Sequence, residues 1–226
     1  MKVTYLYHSG FAIEDEQALY VFDYYKGELP VIAKEKQMYV FVSHRHKDHY
    51  NSEIFDWEKE HPNILYILSD DVEAEPAPNR IFVKPEQKIR TGELKVETLR
   101  STDEGVAFLV TCKDKRIYHA GDLNWWHWEE ESATYNDEMK QNYQREVDKL
   151  EGRKIDAAFV PVDPRLEDAY FWGIDYFMRK TDTKVVFPMH FWGKYETIDC
   201  LIRQKETEDY RDRIAEIDWK GERFSI

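Results

Sequence analysis

The stretch Ser43-His44-Arg45-His46-Lys47-Asp48-His49 constrains this chain more than any other. Three imidazoles and a carboxylate lie together, in a chain with only eight histidines. They follow the near-continuous apolar run Met38-Tyr39-Val40-Phe41-Val42-Ser43. Such a run is expected of a strand covered on both faces. In an extended segment His44 and His46 project to one side, and Asp48 and His49 come where the chain must turn. Neutral imidazole and carboxylate are ligands for zinc and its first-row neighbours. The expectation is a strand ending in a metal site. Two ions about 3.5–4 Å apart can share such a loop if further ligands arrive from elsewhere.

Two other segments supply those ligands. Arg116-Ile117-Tyr118-His119-Ala120-Gly121-Asp122 reads as a strand ending in Gly-Asp, and Val185-Val186-Phe187-Pro188-Met189-His190 as a strand ending in His. In α/β folds, functional groups converge at the carboxyl ends of strands. The expected metal ligands are therefore His44, His46, Asp48, His49, Asp122 and His190.

Around these motifs the pattern is strands first and helices later. Residues 3–7, 11–14 and 18–23 read as consecutive antiparallel strands, with 63–69, 80–84, 94–100, 105–112 and 116–121 as further strands. Residues 51–60 read as a short helix. In 132–153, Tyr135, Met139, Tyr143, Val147 and Leu150 recur at helical spacing, with Thr134 and Asp137 near the start as caps. Residues 157–162 and 184–188 read as strands, and 166–180, 196–204 and 206–216 as helices. No internal repeat or Pro/Gly linker interrupts this order, so one domain over 1–226 is expected.

Composition removes several classes of function. At 226 residues and 42% hydrophobic residues the chain can bury a substantial core. A formal charge of −13 argues against nucleic acid as partner. Cys112 and Cys200 alone build no disulfide framework. The first residues read as a strand and no apolar run reaches the ~18 residues of a spanning helix, so no membrane partner and a cytoplasmic location are expected. A homo-oligomer is left open.

The same residues resemble the metallo-β-lactamase superfamily. Its pattern His-x-His-x-Asp-His is met by His44 to His49, its Gly-Asp after a strand by Gly121-Asp122, and its late strand-end His by His190. His8-Ser9-Gly10-Phe11 is similar to the branch that includes ascorbate-6-phosphate lactonase and N-acyl-phosphatidylethanolamine phospholipase D. The resemblance implies an α/β fold, an αβ/βα four-layer sandwich. It implies that His44 and His46 hold a first metal, that Asp48, His49 and His190 hold a second, and that Asp122 bridges them. One departure stands out. The superfamily usually offers another His to the first metal, from the loop that here reads Leu99-Arg100-Ser101-Thr102-Asp103-Glu104-Gly105. Asp103 or Ser101 as substitute ligand, Arg100 standing in for the ion's charge, and a weak or absent first metal are the alternatives.

The expected activity is hydrolysis of a small-molecule ester, lactone, amide or phosphoester by metal-activated water. The cofactor is one or two divalent ions, with zinc foremost and manganese or iron as substitutes. Asp48 and Asp122 are the candidate catalytic residues, orienting the water and passing its proton. His8, Trp126 and Arg165 are the candidate substrate contacts. Trp126 and Trp128 should point one way and Trp125 the other, by alternation. Asp23 is a candidate to orient the histidine loop, and His119 a packed strand residue or a substitute ligand. The rival readings are a di-iron redox protein and a non-catalytic binding protein on the same fold.

Overall fold

Short apolar runs and tight turns make the N-terminal residues a meander: β1 (Lys2–Tyr7), β2 (Gly10–Glu14) and β3 (Ala18–Phe22), antiparallel in that order. The computed structural model describes residues 1–226. Its backbone divides into two compact units, Met1–Lys84 with Asp218–Ile226, and Pro85–Ile217. In the first, β3 continues in parallel into β4 (Gln37–Val42), β5 (Ile64–Ser69) and β6 (Arg80–Val83), while the C-terminal strand β15 (Arg223–Ser225) pairs with β1. One sheet face buries Leu19, Val21, Met38, Val40, Val42, Tyr66 and Leu68 in a single cluster, against which Phe55 and Trp57 pack. Those two aromatics come from a 3-10 helix, Ser52–Lys59, started by Asn51, whose side-chain oxygen accepts from Glu53 N at 3.0 Å.

The second unit opens with antiparallel β7 (Lys88–Thr91), β8 (Leu94–Arg100), β9 (Val106–Cys112) and β10 (Lys115–His119). Helix α1 (Ala133–Asp148) follows, then a short pair, β11 (Lys154–Ile155) with β13 (Asp182–Thr183). Strand β12 (Ala157–Pro161) lies parallel between β10 and β14 (Val186–Met189), so three strand C-termini lie side by side. Helices α2 (Trp172–Lys180) and α3 (Glu196–Arg203) complete the unit. The fold is mixed α/β, with two large sheets and few helices, the class implied by the resemblance. No helix is long and apolar enough to cross a membrane.

Several local expectations change. Helix α1 is capped by Ser132, whose Oγ accepts from Tyr135 N at 3.1 Å, rather than by Thr134 and Asp137. It stops at Asp148, and Tyr135 is 37% exposed rather than part of the buried face. The expected helix 166–180 is two pieces, a 3-10 turn at Pro164–Ala169 and α2, because Glu167 takes φ 51°. Residues 206–216 do not form the expected helix. Thr207 Oγ1 turns back to Gln204 O at 2.9 Å, and Ala215 N bonds Val186 O at 2.8 Å, which leaves only a 3-10 turn at Arg211–Arg213.

Candidate metal centre

In the first unit the parallel pairing of β3 with β4 sets Asp23 beside Ser43 and His44. The Asp23 carboxylate is fully buried. It accepts Ser43 N at 2.7 Å, Ser43 Oγ at 2.6 Å and His49 Nδ1 at 2.7 Å. A carboxylate only accepts, so Nδ1 of His49 is the protonated nitrogen. The single hydroxyl proton of Ser43 goes to Asp23, so at the 2.9 Å contact with His44 Nδ1 the Ser43 oxygen accepts. Both rings therefore carry their proton on Nδ1 and direct the Nε2 lone pair elsewhere, the arrangement metal-binding imidazoles usually show.

The turn 46–50, closed by His49 N and Tyr50 N on His46 O, gathers the motif. The His44 and His46 ring centroids are 4.7 Å apart, and those of His44 and His49 4.1 Å. His8, at the β1–β2 turn, joins this group: its Nε2 is 3.3 Å from Asp48 Oδ2 and its ring lies edge-on to His49. Ligand atoms of His8, Asp48 and His49 all lie within 4.8 Å of one another. Burial raises the Asp48 pKa, but the hydrogen bond from His8 and the nearby His49 outweigh it and hold the carboxyl well below its ordinary range.

The second unit repeats the device at adjacent strand ends. Asp122 follows β10, Asp163 follows β12 and His190 follows β14. His190 Nδ1 bonds Asp163 Oδ2 at 2.8 Å, which places its Nε2 3.4 Å from Asp122 Oδ1. A nitrogen lone pair facing a carboxylate oxygen at that distance suits a shared cation. Thr102 Oγ1 donates to Asn124 O and accepts from Asn124 N, tying the 99–105 turn to the loop after β10. The Asp103 carboxylate thereby comes within 4.8 Å of that of Asp122. The Arg100 side chain is exposed, while its backbone N bonds Glu146. The donor set of these half-sites, imidazole Nε2 and carboxylate oxygen, fits a divalent first-row metal ion.

Backbone strain falls on several residues of the site as well as on Glu86, Lys113 and Glu167 outside it. His8 (φ 57°), Asp23 (φ 44°), His190 (φ 66°) and Trp192 (φ 55°) all adopt the left-handed region. For residues with a Cβ this costs roughly 1–2 kcal/mol each, and such strain clusters at functional sites.

Of the secondary candidates, Asp23 orients the histidine loop as expected. His119 is fully buried, stacks toward Phe159 and accepts Gly121 N on Nδ1 at 3.1 Å. That is the opposite tautomer to His44, His49 and His190, and marks a packed strand residue. Trp126 and Trp128 face one way with nearly parallel rings, while Trp125 packs against Trp172 and Tyr143. Trp126 donates its indole N–H to Asp122 O at 3.0 Å, and its ring centroid lies 5.4 Å from that of His190 in an edge-on arrangement. Arg165 pairs with neither Glu167 nor Asp168. Its Nε and Nη2 fork Asp163, the shortest contact being 2.6 Å. Burial raises the Asp163 pKa, but the hydrogen bonds from His190 and Arg165 outweigh it and bring it down to about 2. Sequence reasoning missed Asp163 and Ser43 as supports. The one signal for Asp163 was its place after a strand, two residues before Arg165.

Residues 2–190 match the family described as "Beta-lactamase superfamily domain", and the chain belongs to it. No curated protein sequence matches. Among solved structures, the chain is similar to Igni18, a metallo hydrolase from the archaeon Ignicoccus hospitalis (15% identity, TM-score 0.64, 100% of this chain and 98% of that one). It is similar to the isothiocyanate hydrolase from Delia radicum gut bacteria (13%, TM-score 0.61, 100% and 99%). It is also similar to CmlA, a diiron β-hydroxylase from Streptomyces venezuelae (11%, TM-score 0.65, 100% of this chain and 54% of that one). At these identities the likeness is one of fold.

Proposed function

We propose that the chain is a metal-dependent hydrolase that works with one or two divalent ions. His8, Asp48 and His49, with His44 and His46, are the ligand group of the first unit, and Asp103, Asp122 and His190 that of the second. The observation that carries this reading is the shared tautomer. His44, His49 and His190 each have Nδ1 engaged by a buried partner that fixes Nε2 as the ligand nitrogen. Zinc is the proposed ion, with manganese or iron as substitutes. Asp103 takes the place of the missing family histidine, which makes that group richer in oxygen and tilts it toward harder ions. His8 thus moves from candidate substrate contact to the Asp48 group.

When bound, a divalent ion supplies the positive charge that polarises the scissile oxygen and acidifies a water toward pKa ~7. The chain's own groups do the rest. Asp48 or Asp122 orients the attacking water and accepts its proton. His8, beside Asp48, holds that carboxylate ionised and aimed. Trp126 excludes bulk water beside His190. The substrate is a small molecule with an ester, lactone, amide or phosphoester bond, and the protein acts in the cytoplasm without nucleic acid or membrane.

A panel of chromogenic esters, lactones and phosphodiesters, assayed after chelation and after re-addition of zinc, manganese or iron, tests this. Turnover of one class that disappears on chelation and returns with an ion is expected. Inertness of all classes with every ion, in a protein that binds the ions, would leave the non-catalytic rival. Redox turnover with iron alone would favour the di-iron rival.

A further inference from the structure

The loop that carries His190 holds a second residue under the same strain. Trp192 sits at φ 55° and keeps 40% of its surface exposed. No metal role explains it, because an indole is not a ligand. Its ring centroid is 5.6 Å from that of His190, on which the Trp126 ring also abuts at 5.4 Å. The Arg165 guanidinium lies 5.0 Å from the Trp192 ring and 5.7 Å from that of Trp128. The backbone of this loop therefore displays an indole face next to a proposed ligand.

Charge decides what such a face receives. Arg165 forks Asp163 through Nε and Nη2, and Trp192 Nε1 points to the same carboxylate at 3.4 Å. The guanidinium charge is matched by an adjacent anion, so the wall is aromatic and close to neutral. We propose that Trp192 is a one-sided clamp that stacks an uncharged planar aryl group of the substrate on its exposed face. On this reading Arg165 is a positioning residue that stacks the two indoles and fixes Asp163, and is not an anion fork. The inference rests on the hydrolase reading, since it names the substrate class of that site. It is tested separately through binding.

The test uses full-length zinc-loaded protein, 15N-labelled on its indoles, with benzamide as neutral planar probe. Benzoate is the anionic counterpart and cyclohexanecarboxamide the non-planar one. Benzamide should shift the Trp192 indole N–H signal saturably and bind at least fivefold tighter than either counterpart. Trp192→Ala should weaken benzamide binding fivefold or more, and Trp192→Phe should restore most of it, with the circular dichroism spectrum and zinc content unchanged in both. Benzoate binding tighter than benzamide, with that preference lost in Arg165→Gln, would overturn the proposal in favour of an anion fork. Benzamide binding unaltered in Trp192→Ala would overturn it as well. If benzamide binds at Trp192 but no ester, lactone or phosphodiester is turned over with any ion, the clamp stands and the hydrolase reading fails.

Discussion

Asp163 holds His190 by its Nδ1, forks Arg165 and starts the 3-10 turn by accepting Arg165 N at 2.9 Å. Replacing it by Asn keeps its size but removes the charge that fixes the imidazole. Loss of a carboxylate behind a ligating histidine typically weakens metal affinity about 10–100-fold. Asp163→Asn should show that loss in a competition titration with a chromogenic chelator, and Asp23→Asn should do the same through His49 and Ser43. Unchanged affinity in both would mean that the histidines are held by packing alone. The cluster His44 to His49 was legible because its ligands are neighbours in the chain. Asp163 and Ser43 were not, because their role depends on which strands lie parallel. Asp23 serves His49 across the β3–β4 pair, and Asp163 serves His190 across β12–β14. The positive φ of His8, Asp23, His190 and Trp192 likewise has no signature in side chains that carry a Cβ.

Elements were readable where their pattern is apolar and long. Every residue of β12 and β14 is buried, and both were legible as runs. Strand β7 was missed because Lys88-Ile89-Arg90-Thr91 leaves neither face fully buried and offers no apolar run. The cap of α1 was misplaced by two residues, and this has a measurable consequence. Ser132→Ala should cost about 1 kcal/mol in urea denaturation, while Thr134→Ala, whose side chain caps nothing, should fall within about 0.5 kcal/mol. Equal losses would contradict the cap. A second element-level test concerns Asp156, between β11 and β12. Burial raises its pKa, but Lys184 Nζ at 2.6 Å and Arg116 N at 2.9 Å prevail, so it lies below its ordinary value. The carboxylate stabilises the fold above an unfolded pKa of about 3.9, and this contribution is lost as pH falls through the lower folded value. Asp156→Asn should therefore lower stability at neutral pH and flatten its decline below about pH 4. A parallel offset at every pH would contradict this.

Over the whole molecule, each compact unit carries its own proposed ligands, His8, His44, His46, Asp48 and His49 in one and Asp103, Asp122 and His190 in the other. An ion that binds the folded chain and not the unfolded one adds RT ln(1 + [L]/Kd), about 4 kcal/mol at a thousandfold excess over Kd. Chelation should thus lower the melting temperature by several degrees, and restored zinc should raise it again. A melting temperature indifferent to chelator would place the ion outside the stabilised structure. The family pattern that makes the site readable spans residues 2–190, so the family was legible from the sequence. The absence of the family histidine was legible, with Asp103 or Ser101 as candidates in its place, and the closeness of Asp103 to Asp122 emerged from the turn that Thr102 secures. The most direct test of the account is elemental analysis of the purified wild type beside His49→Ala and His190→Ala. The account predicts a bound transition metal in the wild type and a marked loss from each variant, with folding retained. Metal content unchanged in both variants would contradict it.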